Sequence, residues 1–223
     1  MNKYVSIIPA RGGSQRLPRK NVRDLIGIPL VAHSILYSHK VLPESEVYVS
    51  TDDSEIAAIS YRYGAKVINR PAELSDAYTK TDTVIQHAVS ELISCGNKFE
   101  YVIVLQPTNP LRPEGMMEEA CRILETGLYD SLFTVSPFVR KMGRIINNGF
   151  KPWNYSFGQR SQDMETLYYE NGLLYIAQTE LILKGKLMGD TLYPMIVDHI
   201  YGTLDIDTER DFREVEYYCR NKV

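Results

Sequence analysis

Short apolar runs alternate with stretches of helical period along most of the chain. Tyr4-Val5-Ser6-Ile7-Ile8 is apolar and β-branched, which predicts a strand covered on both faces. Tyr101-Val102-Ile103-Val104-Leu105 repeats that signature. Between them, 30–39 carries apolar residues at helical spacing with Pro29 suited to its first turn, and 47–50 reads as a strand. Thr51-Asp52-Asp53-Ser54 is a turn and cap for a helix through Ile56, Ala57, Ile59 and Tyr63 that stops at Gly64. A third short strand over 66–68 follows, then a helix over 81–93 ending near Gly96. Beyond the second apolar run come a helix over 114–124, strands over 131–135, 173–176 and 193–197, and a closing helix over 208–219. Such alternation predicts an α/β fold, a doubly wound and mostly parallel sheet with right-handed crossovers.

Between about 137 and 170 the pattern breaks. Lys141, Arg144, Trp153, Arg160 and Asp163 fall there without clear period, and Asn148-Gly149 signals a hairpin. This segment reads as an excursion from the sheet that either covers a cleft or meets a partner subunit. With no repeat, low-complexity run or flexible linker, 1–223 is expected to be one folding unit.

Composition narrows the classes. A chain of 223 residues, 44% hydrophobic, can bury a substantial single core. No stretch approaches the ~20 apolar residues of a membrane span, and Met1-Asn2-Lys3 runs directly into the first strand without a secretory apolar segment. Cys95, Cys121 and Cys219 are odd in number and far apart, as expected of reduced thiols in a cytoplasmic protein. His33, His39, His87 and His199 form no zinc-ligand spacing. The net charge of −3 argues against nucleic acid or an anionic membrane as partner. The basic residues instead cluster locally, which favours a site over a surface.

The densest cluster follows the first strand: Pro9-Ala10-Arg11-Gly12-Gly13-Ser14-Gln15-Arg16-Leu17-Pro18-Arg19-Lys20-Asn21. Two glycines permit close ligand approach, and three arginines with a lysine make the loop strongly cationic. At the carboxyl end of a central parallel strand, a loop of free N–H groups and positive charge suits a polyphosphate. A plain glycine turn with solvated basic residues is the alternative. The spacing fits neither a Walker A loop, since no second glycine precedes Lys20, nor a dinucleotide fingerprint, since the glycines are adjacent.

Asp205-Ile206-Asp207-Thr208 is the second chemical signal. In extended backbone its carboxylates face one side, about 6–7 Å apart at the α-carbons. They can share a hard cation such as magnesium, or serve only as turn and cap residues. Thr208 can cap the next helix, with Asp211 in the capping-box position. Gln106-Pro107-Thr108-Asn109-Pro110-Leu111-Arg112 follows the second central strand, where α/β ligands gather, or is an ordinary proline-fixed turn. Arg70-Pro71-Ala72-Glu73-Leu74 and Tyr78-Thr79-Lys80-Thr81 follow the third strand and alone decide nothing.

Taken in order, these segments resemble the cytidylyltransferases that activate sialic acids, the CMP-N-acylneuraminate or CMP-nonulosonic acid synthetases. The likeness runs from Tyr4 to Phe212. It is carried by Ile8-Pro9-Ala10-Arg11-Gly12-Gly13-Ser14, Leu17-Pro18, Lys20-Asn21, Ser50-Thr51-Asp52, Arg70-Pro71-Ala72-Glu73-Leu74, Gln106-Pro107-Thr108, Leu111-Arg112, Asn171-Gly172 and Asp205-Ile206-Asp207-Thr208-Glu209. Lys20-Asn21 and the Asp-Ile-Asp-Thr run favour the sialic branch over the related Kdo-activating enzymes.

The resemblance implies a Rossmann-like nucleotide-diphospho-sugar transferase fold, CTP and a 2-keto-3-deoxy sugar acid as substrates, magnesium, and a homodimer. It implies nucleotide contacts at Ala10, Arg11, Gly12, Lys20 and Asn21, with Arg70 and Thr79 by the cytosine and Thr81 by the ribose or α-phosphate. Asp205 and Asp207 would hold the metal, and Gln106, Thr108 and Tyr175 would face the sugar. Lys141 and Arg160 would meet the sugar's carboxylate from the excursion. Arg11, Lys20 and Asp207 are the expected catalytic residues. No histidine or glutamate stands out as a general base, and that role falls to a metal-bound species.

The chain departs from the pattern at the sugar end. Leu187-Met188 stands where some sialic enzymes carry paired phenylalanines, which leaves room for legionaminate, pseudaminate or a deaminated relative as acceptor. A Kdo-activating enzyme is the nearest rival. A non-catalytic nucleotide-binding regulator is another, but it would not need both aspartates.

Overall fold

The computed structural model describes residues 3–221. Met1 and Asn2, expected to lead into the first strand, lie outside the described residues, as do Lys222 and Val223. The chain runs β1 (Tyr4–Pro9), β2 (Asp24–Leu25), β3 (Ile28–Pro29), α1 (Leu30–Val41), β4 (Glu46–Thr51), α2 (Ser54–Arg62) and β5 (Lys66–Asn69). Then come α3 (Thr81–Ser94), β6 (Tyr101–Val104), α4 (Met116–Leu124), β7 (Ser131–Phe138), β8 (Gly143–Ile146) and β9 (Gly149–Pro152). It closes with β10 (Leu167–Gln178), α5 (Thr179–Leu183), β11 (Leu192–Ile196) and α6 (Glu209–Asn221).

The main sheet has seven strands in the order β11-β7-β10-β6-β1-β4-β5. β1 pairs in parallel with β4 and β6, β4 with β5, and β7 with β11. β10 runs antiparallel to both β6 and β7, so it alone opposes the rest. The mostly parallel α/β architecture is as the periodicity predicts.

Strand β1 explains why its sequence has no polar face. Tyr4 and Ile8 pack on one side of the sheet with α1, α2 and α4, while Val5 and Ile7 pack on the other with α3 and α5. Residues of β6 divide the same way, Tyr101 and Ile103 against Val102 and Val104. A third cluster, with Leu17, Leu25, Leu30, Leu204, Ile206, Phe212 and Val215, fastens α6 beneath the loop that follows β1. Apolar burial on both faces makes the sheet a rigid floor for the loops at its strand ends.

The excursion is shorter than the pattern break suggests. β7 continues to Phe138 and β10 begins at Leu167, so the sheet extends into both ends of the 137–170 segment. Between them β8 and β9 form a hairpin whose turn is Asn147-Asn148, both at positive φ (49° and 61°), one position earlier than Asn148-Gly149. Asparagine tolerates the left-handed backbone a tight hairpin turn demands. Helix α4 starts at Met116, with Gly115 at φ 76° before it, rather than at Glu114.

Candidate active site

The chain passes from β1 to β4 and β5, then returns to place β6 on the other side of β1. That reversal opens a crevice between the loops after β1 and β6, the position where sheets of this type gather ligands. The loop after β1 is held by its own neighbours. Ala10 is fully buried and its N–H donates to the Ser50 carbonyl at 3.0 Å. The Gly12 N–H donates to Asp52 Oδ1 at 2.9 Å, and the Ser14 N–H to the Gly12 carbonyl at 3.0 Å. Asn21 Nδ2 donates to the Arg11 carbonyl at 2.9 Å. Gly12 has no room for a Cβ, which would stand 2.6 Å from Asp53 Oδ2. The expected cradle of free N–H groups is therefore corrected: at Ala10, Gly12 and Ser14 they are bonded within the chain. Beside those bonded groups, the loop presents the side-chain charge of Arg11, Arg16 and Lys20 to the cavity.

Those charges line a cavity of about 450 Å³ that includes Arg11, Arg16, Lys20, Asn21, Arg70, Thr79, Thr81, Gln106, Thr108 and Asp207. Lys20 Nζ donates to the Ile206 carbonyl at 2.6 Å and lies 3.2 Å from Asp207 Oδ1. Arg16 reaches the other Asp207 oxygen at 2.6 Å. Arg11 Nη1 donates to the Asp76 carbonyl at 2.5 Å, and the Asp76 carboxylate accepts from the N–H and hydroxyl of Thr79 at 2.6 and 2.7 Å. Those bonds, with one from the Tyr78 N–H, hold the Asp76 carboxyl below its usual range. Arg70 is buried, donating to the Ser50 carbonyl at 2.6 Å and its hydroxyl at 3.2 Å, and burial lowers its guanidinium to about 10. Arg19 turns away, ion-paired to Glu55 and 3.6 Å from Asp53.

A second cavity, of about 430 Å³, adjoins the first at Gln106 and is lined also by Glu170, Tyr175, Thr203 and Asp205. Gln106 is fixed from behind by Arg112, a buried guanidinium whose Nη2 donates to the Gln106 carbonyl at 2.9 Å and whose Nε donates to the Leu173 carbonyl at 2.8 Å. Burial lowers Arg112 to about 10. The two aspartates thus divide, Asp207 bordering the cationic cavity and Asp205 the other. Asp205 presents surface to solvent, yet its carboxyl sits in a crowded cleft. That desolvation, reinforced by the charge of Asp207 and opposed by a Thr108 hydrogen bond, raises its pKa. Downstream, Thr208 and Asp211 form the expected capping box. The Thr208 N–H donates to Asp211 Oδ2 at 2.7 Å, and the Asp211 N–H donates to Thr208 Oγ1 at 3.3 Å.

Lys141 and Arg160 line neither cavity. Lys141 donates to the Gln159 carbonyl, and Arg160 binds Asp163 at 2.7 and 3.0 Å, both on the exposed excursion. Leu187 is buried and Met188 packs beside it in the cluster that holds Tyr175, behind the second cavity and not in its wall. The sequence reading missed Arg16, Asp76 and Glu170 as site residues. Arg16 was visible in the cationic loop, and Asp76 precedes the polar Tyr78-Thr79 pair. No group of three or more His, Cys, Asp or Glu side chains able to hold a metal occurs among the described residues. Nor, among them, is any helix long and apolar enough to cross a membrane.

A family model for cytidylyltransferases matches residues 5–222. The chain belongs to the cytidylyltransferase family. Similar cytidylyltransferases place it among the CMP-nonulosonic acid synthetases. It is 34% identical over 225 residues to the CMP-N,N'-diacetyllegionaminic acid synthase of Legionella pneumophila, covering 96% of this chain and 95% of that one. To the pseudaminic acid cytidylyltransferase of Campylobacter jejuni it is 31% identical over 215 residues, 94% and 93% of the two chains. The N-acylneuraminate cytidylyltransferase of Escherichia coli O18:K1:H7 is 32% identical over 94% of this chain but only 50% of its own length. The structure of CMP:2-keto-3-deoxy-manno-octonic acid synthetase complexed with CTP superposes with a TM-score of 0.74 over 100% of both chains at 17% identity, a likeness of fold alone.

Proposed function

We propose that this cytidylyltransferase transfers CMP from CTP to the anomeric hydroxyl of a nonulosonic acid, releasing pyrophosphate. The observation that carries this reading is the pair of adjoining cavities, one walled by four cations and the other by polar and acidic groups, with Gln106 common to both. A triphosphate fits the first and a sugar acid the second, so the α-phosphorus and the attacking oxygen meet near Gln106, Thr108 and the two aspartates. The oxygen forms its bond to phosphorus as the bond to the β-phosphate breaks.

Phosphoryl-type transfers depend mainly on positioning and charge stabilisation. Arg11, Arg16 and Lys20 supply that charge from a loop whose backbone is already fixed, so little reorganisation is needed as charge develops on the leaving group. Arg70 and Thr79 are assigned to the base and Thr81 and Asn21 to the ribose side, all four being in the lining of that cavity. Tyr175 and Gln106 face the acceptor.

Magnesium fits the donor set. Asp205 and Asp207 are hard oxygen ligands two residues apart, and a cation beside both would offset the desolvation that chiefly raises the Asp205 carboxyl and the smaller repulsion from Asp207. When bound it would neutralise phosphate charge and acidify a coordinated hydroxyl.

The excursion suggests a homodimer. Lys141 and Arg160 stand outside both cavities of their own chain, among the exposed side chains of Ile145, Trp153 and Phe157. A second copy seated there would cover that apolar surface and bring two cations toward the acceptor's carboxylate. Release of pyrophosphate from CTP and magnesium, followed over a panel of legionaminate, pseudaminate, N-acetylneuraminate, its deaminated analogue and Kdo, tests the whole reading. Absence of release with every nonulosonic acid would overturn it.

A further inference from the structure

The ladder between β10 and β7 pairs Glu170 with Val135 and Tyr175 with Phe133. A step of five residues on one strand therefore matches a step of two on the other. In a regular strand, residues an odd number apart face opposite sides of the sheet. Here the surplus residues between Glu170 and Tyr175 bulge out of the ladder, and both side chains emerge on the face shared by Val135 and Phe133. They meet there, the Tyr175 hydroxyl donating to Glu170 Oε1 at 2.6 Å.

The bulge is firmly built. Asn171 Oδ1 accepts from Thr134 Oγ1 at 2.6 Å, and its Nδ2 donates to Ser136 Oγ at 2.9 Å. Gly172 sits at φ 75°, where a Cβ would lie 2.9 Å from Asn109 Oδ1. The pair it presents borders the second cavity, whose lining includes the carboxylates of Glu170 and Asp205 and no lysine or arginine. A carboxylate-bearing ligand is repelled from such a wall, whereas its hydroxyl and amide N–H groups find an acceptor. Tyr175 binds one oxygen of Glu170, leaving the other for a ligand.

We propose that Glu170, presented by the β10 bulge and oriented by Tyr175, is a specificity-determining residue that accepts a hydrogen bond from a hydroxyl or amide N–H of the acceptor. This rests on the acceptor assignment above. The same carboxylate turns the acceptor's own carboxylate toward the opposite, open side. Charge-assisted bonds are about twice as strong as neutral ones, so losing the charge while keeping the shape is the informative change.

The test is Glu170→Gln, whose amide oxygen still accepts from Tyr175, with Glu170→Lys beside it. In Glu170→Gln the acceptor KM should rise about tenfold, a loss of one charge-assisted bond, while the KM for CTP is unaltered. The kcat/KM ratio between N-acetylneuraminate and its deaminated analogue should shift as well. Glu170→Lys should weaken the acceptor further. An unchanged acceptor KM, equal losses for both substrates, or tighter acceptor binding in Glu170→Lys would overturn the proposal while leaving cytidylyl transfer intact. A wild-type protein that turns over no nonulosonic acid would overturn the acceptor assignment and this inference with it.

Discussion

The two cavities share Gln106 but differ in almost everything else. One is walled by Arg11, Arg16, Lys20 and Arg70, the other includes Glu170 and Asp205 and no cation. Both substrates of the proposed reaction are anions, so charge alone cannot explain the contrast. It teaches instead where each anion puts its charge. In the proposed binding mode, CTP would bring its phosphates into the cationic cavity, whereas the sugar would turn hydroxyl and amide groups inward and hold its single carboxylate outward. On that proposal, cations for the carboxylate would come from outside the chain's own cavity, and Lys141 and Arg160 stand outside both cavities.

Removing a cation from the first cavity should do most harm. Lys20→Ala should lower turnover at saturating CTP by about 10²–10³-fold, the usual cost of losing a preorganised group at a developing charge. Stopped assays of pyrophosphate release, with circular dichroism to confirm folding, measure it. A variant of near-normal rate would mean the loop binds without assisting the chemistry.

The boundary between the cavities is probed next. Asp207→Asn should raise the magnesium concentration for half-maximal rate by about 10–100-fold, the range seen when metal-site carboxylate support is lost. A titration curve superimposable on wild type would remove Asp207 from the ligand set and leave it as a partner of Arg16 and Lys20.

For the outward carboxylate, Arg160→Ala should raise the acceptor KM by about tenfold and leave the KM for CTP nearly alone. Light scattering at assay concentration should find a dimer. A fully active monomer would contradict the placement of these cations across two copies.

The smallest effect expected is on stability. The folded-state pKa of Asp205 is raised by burial and by Asp207, so the folded state binds its proton more tightly than the unfolded chain does. Stability from this group is present at low pH and declines as pH climbs through the ordinary aspartate value to the raised one, leaving a penalty at neutrality. Asp205→Asn should therefore raise Tm in metal-free buffer by roughly 1–3 °C while impairing catalysis. The gain should vanish in a melt at pH below the ordinary aspartate range, and a lower Tm at neutral pH would count against the assigned cause.

The contrast between the cavities was only half legible in the sequence. The cationic loop, the Asp205/Asp207 pair and the apolar strands over 4–8 and 101–105 are local patterns, and their chemistry shows in residue order. The acidic wall depends on pairing between distant segments. Glu170 reaches Tyr175 only because β10 is bulged against β7, and a strand period read from sequence puts the two on opposite faces. Asn171-Gly172 within an apolar run was the available sign, since glycine inside a strand often marks a bulge. The start of β10 at Leu167 was hidden for a similar reason, because Tyr168 and Glu170 are exposed and mute the apolar signal. Likewise the N–H groups of Ala10 and Gly12 looked free until β4 and its following turn were in place to accept them.

The contact between Lys20 and Asp207 spans 187 positions of chain. During synthesis the cationic loop emerges early, yet its carboxylate partner and the Ile206 carbonyl follow only after nearly every other element has been made. Strand β1 must also wait for β6, its neighbour Tyr101 lying far from Tyr4 in the chain. Contacts of such separation form slowly and late. A nascent chain can thus hold a partly packed core while its substrate crevice does not yet exist. In the proposed binding mode nucleotide would have nothing complete to grip until α6 is anchored beneath the loop, so binding competence would follow only once the segment through α6 has been made.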